Sequence, residues 1–426
     1  MEAYANLLMI AMLAILTLVI VEALYAYFIK KFKFRTMDMI SSLSAGMTNT
    51  LKNVLGLTVV VFGYKHLFVQ FAIAPLDIQW HTYIIAIVAL DFATYWHHRL
   101  AHKVNIFWNR HVIHHSGEDF NIATGLRQSV SKFVNIAVFF LFPAALLGVP
   151  PEVIIMVAPL HLFIQIWYHT THIGKLGWLE YIIVTPSQHR VHHAINKIYM
   201  DKNMSPVFCV WDRLFGTFQE ELDEEPCIYG VTRQVNTWNP ILINLDHLWL
   251  LIKDAWRAKS WLDKLRVWFM PTGWRPADVE EKYPVASADP RNFVKYDTEA
   301  SSLLKAWSWV QLFMLIGMTF HLLYAIVKIG SPDIFIYALF LFLMVYCYTS
   351  LMDRNPNSIW MELVKSIFGL AIIYYIGSWF GLDEIINGGT IFMIIYLIAS
   401  VFVVGYFVFY EIGKEKLKAQ RPLYKS

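Results

Sequence analysis

Long apolar runs with few charges, separated by short polar or basic stretches, set the plan of this chain. Leu7 to Phe28, Val54 to Ala74 and Tyr83 to Trp96 read as spans. A hydrocarbon layer about 30 Å thick needs roughly 20 such residues in a helix. Leu303 to Ile329, Ile334 to Leu351, Ile359 to Phe380 and Thr390 to Phe409 form a second series. Phe133 to Leu147 and Val153 to Trp167 are shorter, and GlyValProPro at 148–151 lies between them. They predict a helical hairpin that dips into the membrane, spanning it or nearly so. The run from Leu7 is too long for a signal-peptide core and carries no cleavage pattern. The pattern predicts an all-α polytopic membrane protein with about nine transmembrane or membrane-embedded helices.

Charge orients the plan. Lys30, Lys31, Lys33 and Arg35 follow the first run. The positive-inside rule puts that end in the cytoplasm and the N-terminus outside. Alternation then brings residues 103–132, with Arg110, Arg127 and Lys132, the 353–357 connection and the tail from Lys414 to the same inner side. Met37 to Thr50 is small and polar and reads as a helix lying at the surface. Residues 1–300 read as one membrane domain with a cytosolic cap, and 301–426 as an accessory four-helix transmembrane bundle. From Trp238 to Trp274, tryptophans alternate with basic residues. That suits interfacial helices on a bilayer, or the tryptophan-rich core of a small subdomain.

Composition agrees, with 57% hydrophobic and 16% charged residues. A net charge of +3 is too small and dispersed for a nucleic-acid partner. Three unpaired cysteines make no disulfide framework, which suits a reduced, cytosol-facing site.

The chemistry lies in the histidines. His98 and His102 are four apart; His111, His114 and His115 are at i, i+3 and i+4; His189, His192 and His193 repeat that spacing. On a helix these spacings put rings a turn apart on one face. Free imidazoles packed so densely would repel as they charged, and a metal holds them neutral. One ion takes four to six ligands, so eight or more histidines imply two ions. Imidazole suits iron, copper, zinc or nickel, and the spacing does not choose among them. Asp91, Glu118, Asp119 and Asn121 are the candidate acceptors to orient the rings. Glu118 and Asn121 are also the candidate catalytic residues. His161 and Gln165 suit interhelical hydrogen bonding.

HisArgLeuAlaHis, HisValIleHisHis and HisArgValHisHis together resemble the histidine pattern of the fatty acid hydroxylase/sterol desaturase superfamily. HisHisSerGlyGluAspPheAsn, ThrGlyLeuArgGlnSer, ThrProSer before the third set, AspLysAsn at 201–203 and TrpAspArgLeuPheGlyThrPhe are similar to its alkylglycerol monooxygenase branch. The resemblance implies a membrane-embedded non-haem di-iron oxygenase. Its metal ligands would be His98, His102, His111, His114, His115, His189, His192 and His193, with His169 from the intervening hairpin. It implies O2, a membrane lipid and tetrahydrobiopterin as reactants, and hydroxylation of the carbon next to an alkylglycerol ether oxygen. Two departures stand out: Lys103 replaces an expected acidic residue, and His172 is a possible extra ligand. A hydroxylase or desaturase of acyl, sterol or carotenoid substrates with a separate electron donor is the rival reading. A metal transporter is a remote one, because the ligands cluster at helix ends rather than along a membrane path.

Overall fold

The computed structural model describes residues 2–56, 63–131 and 137–413. Its regular elements are all helical, and only two isolated β-bridges occur among the described residues. α1 (Glu2–Phe28) is followed by α2 (Thr36–Val54), α3 (Trp80–Lys103), α4 (Pro151–Ile164) and α5 (Pro186–His193). Next are α6 (Pro240–Arg257) and α7 (Trp261–Phe269). The C-terminal series is α8 (Ser302–Tyr324), α9 (Asp333–Met352), α10 (Ser358–Ile376) and α11 (Gly389–Gly405). The chain is an integral membrane protein: α1, α8, α9, α10 and α11 with its helical continuation to Ile412 are long and apolar enough to cross a bilayer.

The other expected spans differ. Of Val54 to Ala74, residues 57–62 lie outside the described residues, and the remainder forms a short helix, Tyr64–Phe71. Of Phe133 to Leu147, residues 133–136 lie outside the described residues, and Ala137–Phe140 and Phe142–Leu146 are short turns of helix. α4 has 14 residues, too few for a full crossing. α3 is long enough, but histidines occupy its last turns. The bend at Gly148 (φ +78°) packs so tightly on the 74–75 backbone that a Cβ would lie 1.8 Å from the Ala74 carbonyl oxygen. Only glycine fits there.

The two largest hydrophobic cores hold the membrane helices together. One joins α1 and α2 to α8–α11, and the other packs α3 against α4 and the turn Phe142–Leu146. α2 does not lie at the surface: Ser41, Ser42, Ser44, Ala45 and Thr48 are fully buried. Its small residues let neighbouring backbones approach closely. Ser42 donates to the Asp38 carbonyl (2.9 Å), Ser44 pairs with Tyr348 and Thr48 donates to the Ala45 carbonyl (2.9 Å), whereas Ser41 Oγ is buried without a partner among the described residues. Arg35, just before α2, pairs with Asp38, Glu118 and Asp119 and so joins α2 to the histidine-bearing loops.

Candidate metal centre

The structure brings all nine expected histidines together in two groups. His98, His102, His111, His115 and His192 form one; His114, His169, His189 and His193 form the other. Within each group the ligand nitrogens lie within 4.8 Å of one another. Each HisXXHisHis set divides between the groups. His111 and His115 share one face and join the first; His189 and His193 do the same in the second. The odd residues, His114 and His192, cross to the opposite group. The cause is angular, because consecutive residues of a helix diverge by about 100° whereas i and i+4 nearly align.

The nitrogens converge closely. His98 Nε2 is 2.8 Å from His111 Nε2, and His102 Nε2 is 3.1 Å from His115 Nε2. In the second group His189 Nε2 is 2.9 Å from His169 Nε2, and His193 Nε2 is 3.1 Å from His114 Nε2. Ligands about 2.0–2.1 Å from one ion stand about 3 Å apart, so the donor set fits a cation. His192 Nε2 is buried with no hydrogen-bond partner, as a ligand atom would be. Burial, reinforced by neighbouring imidazoles, holds His111, His115, His189 and His193 well below the usual imidazole range. Burial brings His169 to about 4. The rings are therefore neutral, the form that binds metal.

Four of the far nitrogens are held from outside. His98 Nδ1 meets the Met204 carbonyl (2.8 Å), His192 Nδ1 the Lys202 carbonyl (2.9 Å) and His114 Nδ1 the Arg127 carbonyl (3.3 Å). His102 Nδ1 lies 3.4 Å from an Asp201 carboxylate oxygen, whose other oxygen accepts from Lys103 Nζ at 2.6 Å. Lys103 therefore occupies the expected acidic position but serves a carboxylate supplied from residue 201.

A model of the Fatty acid hydroxylase family matches residues 83–217, a stretch that contains all nine histidines. Alkylglycerol monooxygenase of Homo sapiens is 31% identical over 84% of this chain and 80% of its own length. That of Xenopus tropicalis is 30% identical over 84% of this chain and 80% of its own, and that of Danio rerio 32% identical over 78% and 74%. The chain belongs to the alkylglycerol monooxygenase family. No solved structure matches it. As a member of that family it is a membrane oxidoreductase of the lipid monooxygenase kind.

The family's flanking motifs here build the support around the rings. In ThrGlyLeuArgGlnSer, Gly125 lies against His169, and a Cβ there would meet the ring Nδ1 at 2.9 Å. Buried Arg127 donates to Ser42 Oγ (2.9 Å), Ser116 Oγ (3.0 Å) and Asp38 Oδ1 (3.0 Å). Asp212 accepts from the Met204 and Ser205 amides (2.7 and 2.9 Å) and from Thr217 Oγ1 (2.6 Å), fixing the turn that presents the Met204 carbonyl. Sequence reasoning missed Asp201, Gly125 and these carbonyls. The motifs flagged the segments, but a backbone acceptor has no sequence signature.

Other expected residues are employed elsewhere. Glu118 accepts from the Tyr296 amide (2.7 Å), Gln234 (3.2 Å) and Arg35 (3.3 Å). Asn121 caps the short helix Ile122–Gly125 by accepting from the Thr124 amide at 3.1 Å. Asp119 pairs with Arg35 (3.1 Å) and Lys295 (2.7 Å). Asp91 pairs with His161 (2.7 Å), whose ring lies outside both groups and is also hydrogen-bonded to Gln165. His172 packs edge-on to Tyr25, outside both groups. Each of these carboxylates or amides is engaged by donors of the scaffold.

A cavity of about 370 Å³ opens onto the centre. His102, His115 and His192 reach it from the first group and His193 from the second. Trp108, Val112, Leu250 and Leu251 give it an apolar wall, and Thr272 and Arg233 give it polar positions.

Proposed function

We propose that the chain holds two irons, one in each histidine group, and oxidises alkylglycerols at the carbon next to the ether oxygen. The observation that carries this is the division of nine imidazoles into two converging groups, in a chain whose relatives bear the alkylglycerol monooxygenase name over four fifths of their length. The proposed ligands are His98, His102, His111, His115 and His192 for one ion. For the other they are His114, His169, His189 and His193. When bound, the irons supply the O2 activation that oxidation of an unactivated C–H bond requires. Tetrahydrobiopterin is proposed as the two-electron donor: one oxygen atom enters the lipid and the other leaves as water. The hemiacetal formed collapses to a fatty aldehyde and a glycerol derivative without a further oxidant.

The protein's part is positioning and exclusion of water. The carbonyls of Met204, Lys202 and Arg127 accept from Nδ1–H, which leaves each Nε2 lone pair facing inward. The cavity's mixed lining suits an amphiphile, with apolar residues for the alkyl segment and Thr272 for a hydroxyl. Lys30, Lys31 and Lys33 at the end of α1 support a cytosolic position for this centre, with the N-terminus outside and the C-terminus inside.

The test is turnover of an alkylglycerol by purified protein in lipid vesicles, with and without tetrahydrobiopterin, alongside Mössbauer spectra of anaerobically purified protein. A pterin-dependent aldehyde and a dinuclear iron signal are expected. Equal rates without pterin would transfer the electron supply to a separate donor. A hydroxylated or desaturated lipid with its ether intact would overturn the substrate assignment, and a mononuclear signal the two-iron one.

A further inference from the structure

α6 and α7 form a helical hairpin whose outer surface has no partner among the described residues. Trp249 and Trp256 of α6 and Trp261, Leu262, Leu265 and Phe269 of α7 face outward, with Trp256 85% and Trp261 80% exposed. Six large apolar side chains on one short hairpin exceed the scattered exposed residues normal for a soluble surface. Cations accompany them: residues 249–269 hold five basic and two acidic side chains. One of those acids, Asp254, is buried and bound by Arg275 through 2.6 and 2.8 Å hydrogen bonds.

The hairpin is held in shape. Lys264 Nζ donates to the carbonyls of Ala255 (3.1 Å) and Trp256 (2.9 Å), closing the end of α6. Ser260 Oγ caps α7 by accepting from the Asp263 amide at 3.3 Å. α6 also has two opposed faces. At 3.6 residues per turn, His247, Leu251 and Asp254 lie roughly 160° round the helix from Trp249 and Trp256, and these three line the cavity of the metal centre.

We propose that the outer face of this hairpin is a membrane-interface anchor seated among anionic phospholipid headgroups, on the histidine-bearing side of the bilayer. Tryptophan rings favour the headgroup level, leucine and phenylalanine reach the acyl boundary, and Arg257, Lys259 and Arg266 match negative headgroups. The five long apolar helices already fix the chain in a bilayer, so that surface is at hand. Seated this way, α6 is the partition between the lipid and the cavity. The proposal holds for any lipid substrate and does not depend on the ether assignment.

Spin labels attached through Trp261→Cys and Phe269→Cys, in full-length protein in vesicles of phosphatidylcholine with phosphatidylglycerol, test it. Unlabelled-site background is read from the parent protein, and Glu224→Cys on an exposed loop is the aqueous control. Labels at 261 and 269 are expected about 5–10 Å into the headgroup and acyl boundary, relaxed by oxygen rather than by a water-soluble nickel chelate. The label at 224 is expected to show the reverse. Omitting phosphatidylglycerol is expected to shift the 261 label towards water. Nickel accessibility at both sites equal to that at 224 would overturn the anchor. Dipolar broadening between two copies would overturn it in favour of a subunit interface. Depth indifferent to phosphatidylglycerol would overturn the anionic headgroups.

Discussion

The rings of His115 and His193 stack with centroids 4.3 Å apart and planes 21° apart, and they belong to different ligand groups. That contact makes the two groups neighbours. His115 ends the short helix Val112–His115 and His193 ends α5, so two turns of helix 78 residues apart in sequence share one wall of the cavity.

The groups differ in redundancy, with five imidazoles against four. His114→Ala leaves three nitrogens in the second group, whereas His192→Ala leaves four in the first. Both variants should lose turnover by more than the roughly 10–100-fold that a lost orienting partner costs. Metal analysis should find the larger iron loss in His114→Ala. Full turnover by either would remove the ligand assignment.

Gly125→Ala forces a Cβ to within 2.9 Å of His169 Nδ1 in a fully packed surrounding. A Cβ that close cannot be accommodated in place, so the His169 ring must shift. The variant should lose iron from the second group while its circular dichroism keeps its helical signal. Iron content unchanged from the parent would show that His169 has room to move.

Asp201→Asn tests the substituted carboxylate. It should weaken iron binding or turnover by roughly 10–100-fold, and Lys103→Ala by less. Against the upward push of burial, hydrogen bonds from His102 and Lys103 bring the Asp201 carboxyl to about 2. The folded value is below the unfolded one, so this pair's stabilisation is complete above pH about 4 and is lost as pH falls towards 2. Acid titration of the parent and of Asp201→Asn should diverge in that window.

Asp353 gives the opposite sign. Burial raises its carboxyl to about 6, although it accepts from the Trp238 amide (2.7 Å), Tyr296 (3.1 Å) and Thr237. The folded state holds the proton longer than the unfolded chain. Stability from this group is therefore greatest below pH about 4 and declines as pH rises to about 6. Asp353→Asn should flatten that slope in melting curves of detergent-solubilised protein. A slope unchanged from the parent would assign it to another group.

Within the C-terminal bundle, Lys365 is fully buried 2.5 Å from Glu362, with Ser400 Oγ at 3.2 Å. Removing one partner strands a buried charge. Lys365→Met should destabilise by about 3–5 kcal/mol, and adding Glu362→Leu should recover most of it. Unfolding in detergent measures both. A double variant as unstable as the single would place the loss in packing rather than charge.

The sequence by itself determined what depends on near neighbours. The four C-terminal spans appear within a few residues of their expected limits, because an apolar run of helical length has few alternatives in lipid. Pro186 opens α5, and the histidine spacings announced the chemistry. The tertiary structure alone decided what depends on distant partners. It buried α2, drew Glu118 and Asn121 into scaffold bonds, and brought Asp201 to His102. It also decided which distant histidines His114 and His192 meet: His169, His189 and His193 for one, His98, His102, His111 and His115 for the other. Periodicity tells which way a side chain points from its own helix axis; what waits in that direction is set by the packing of segments far away along the chain.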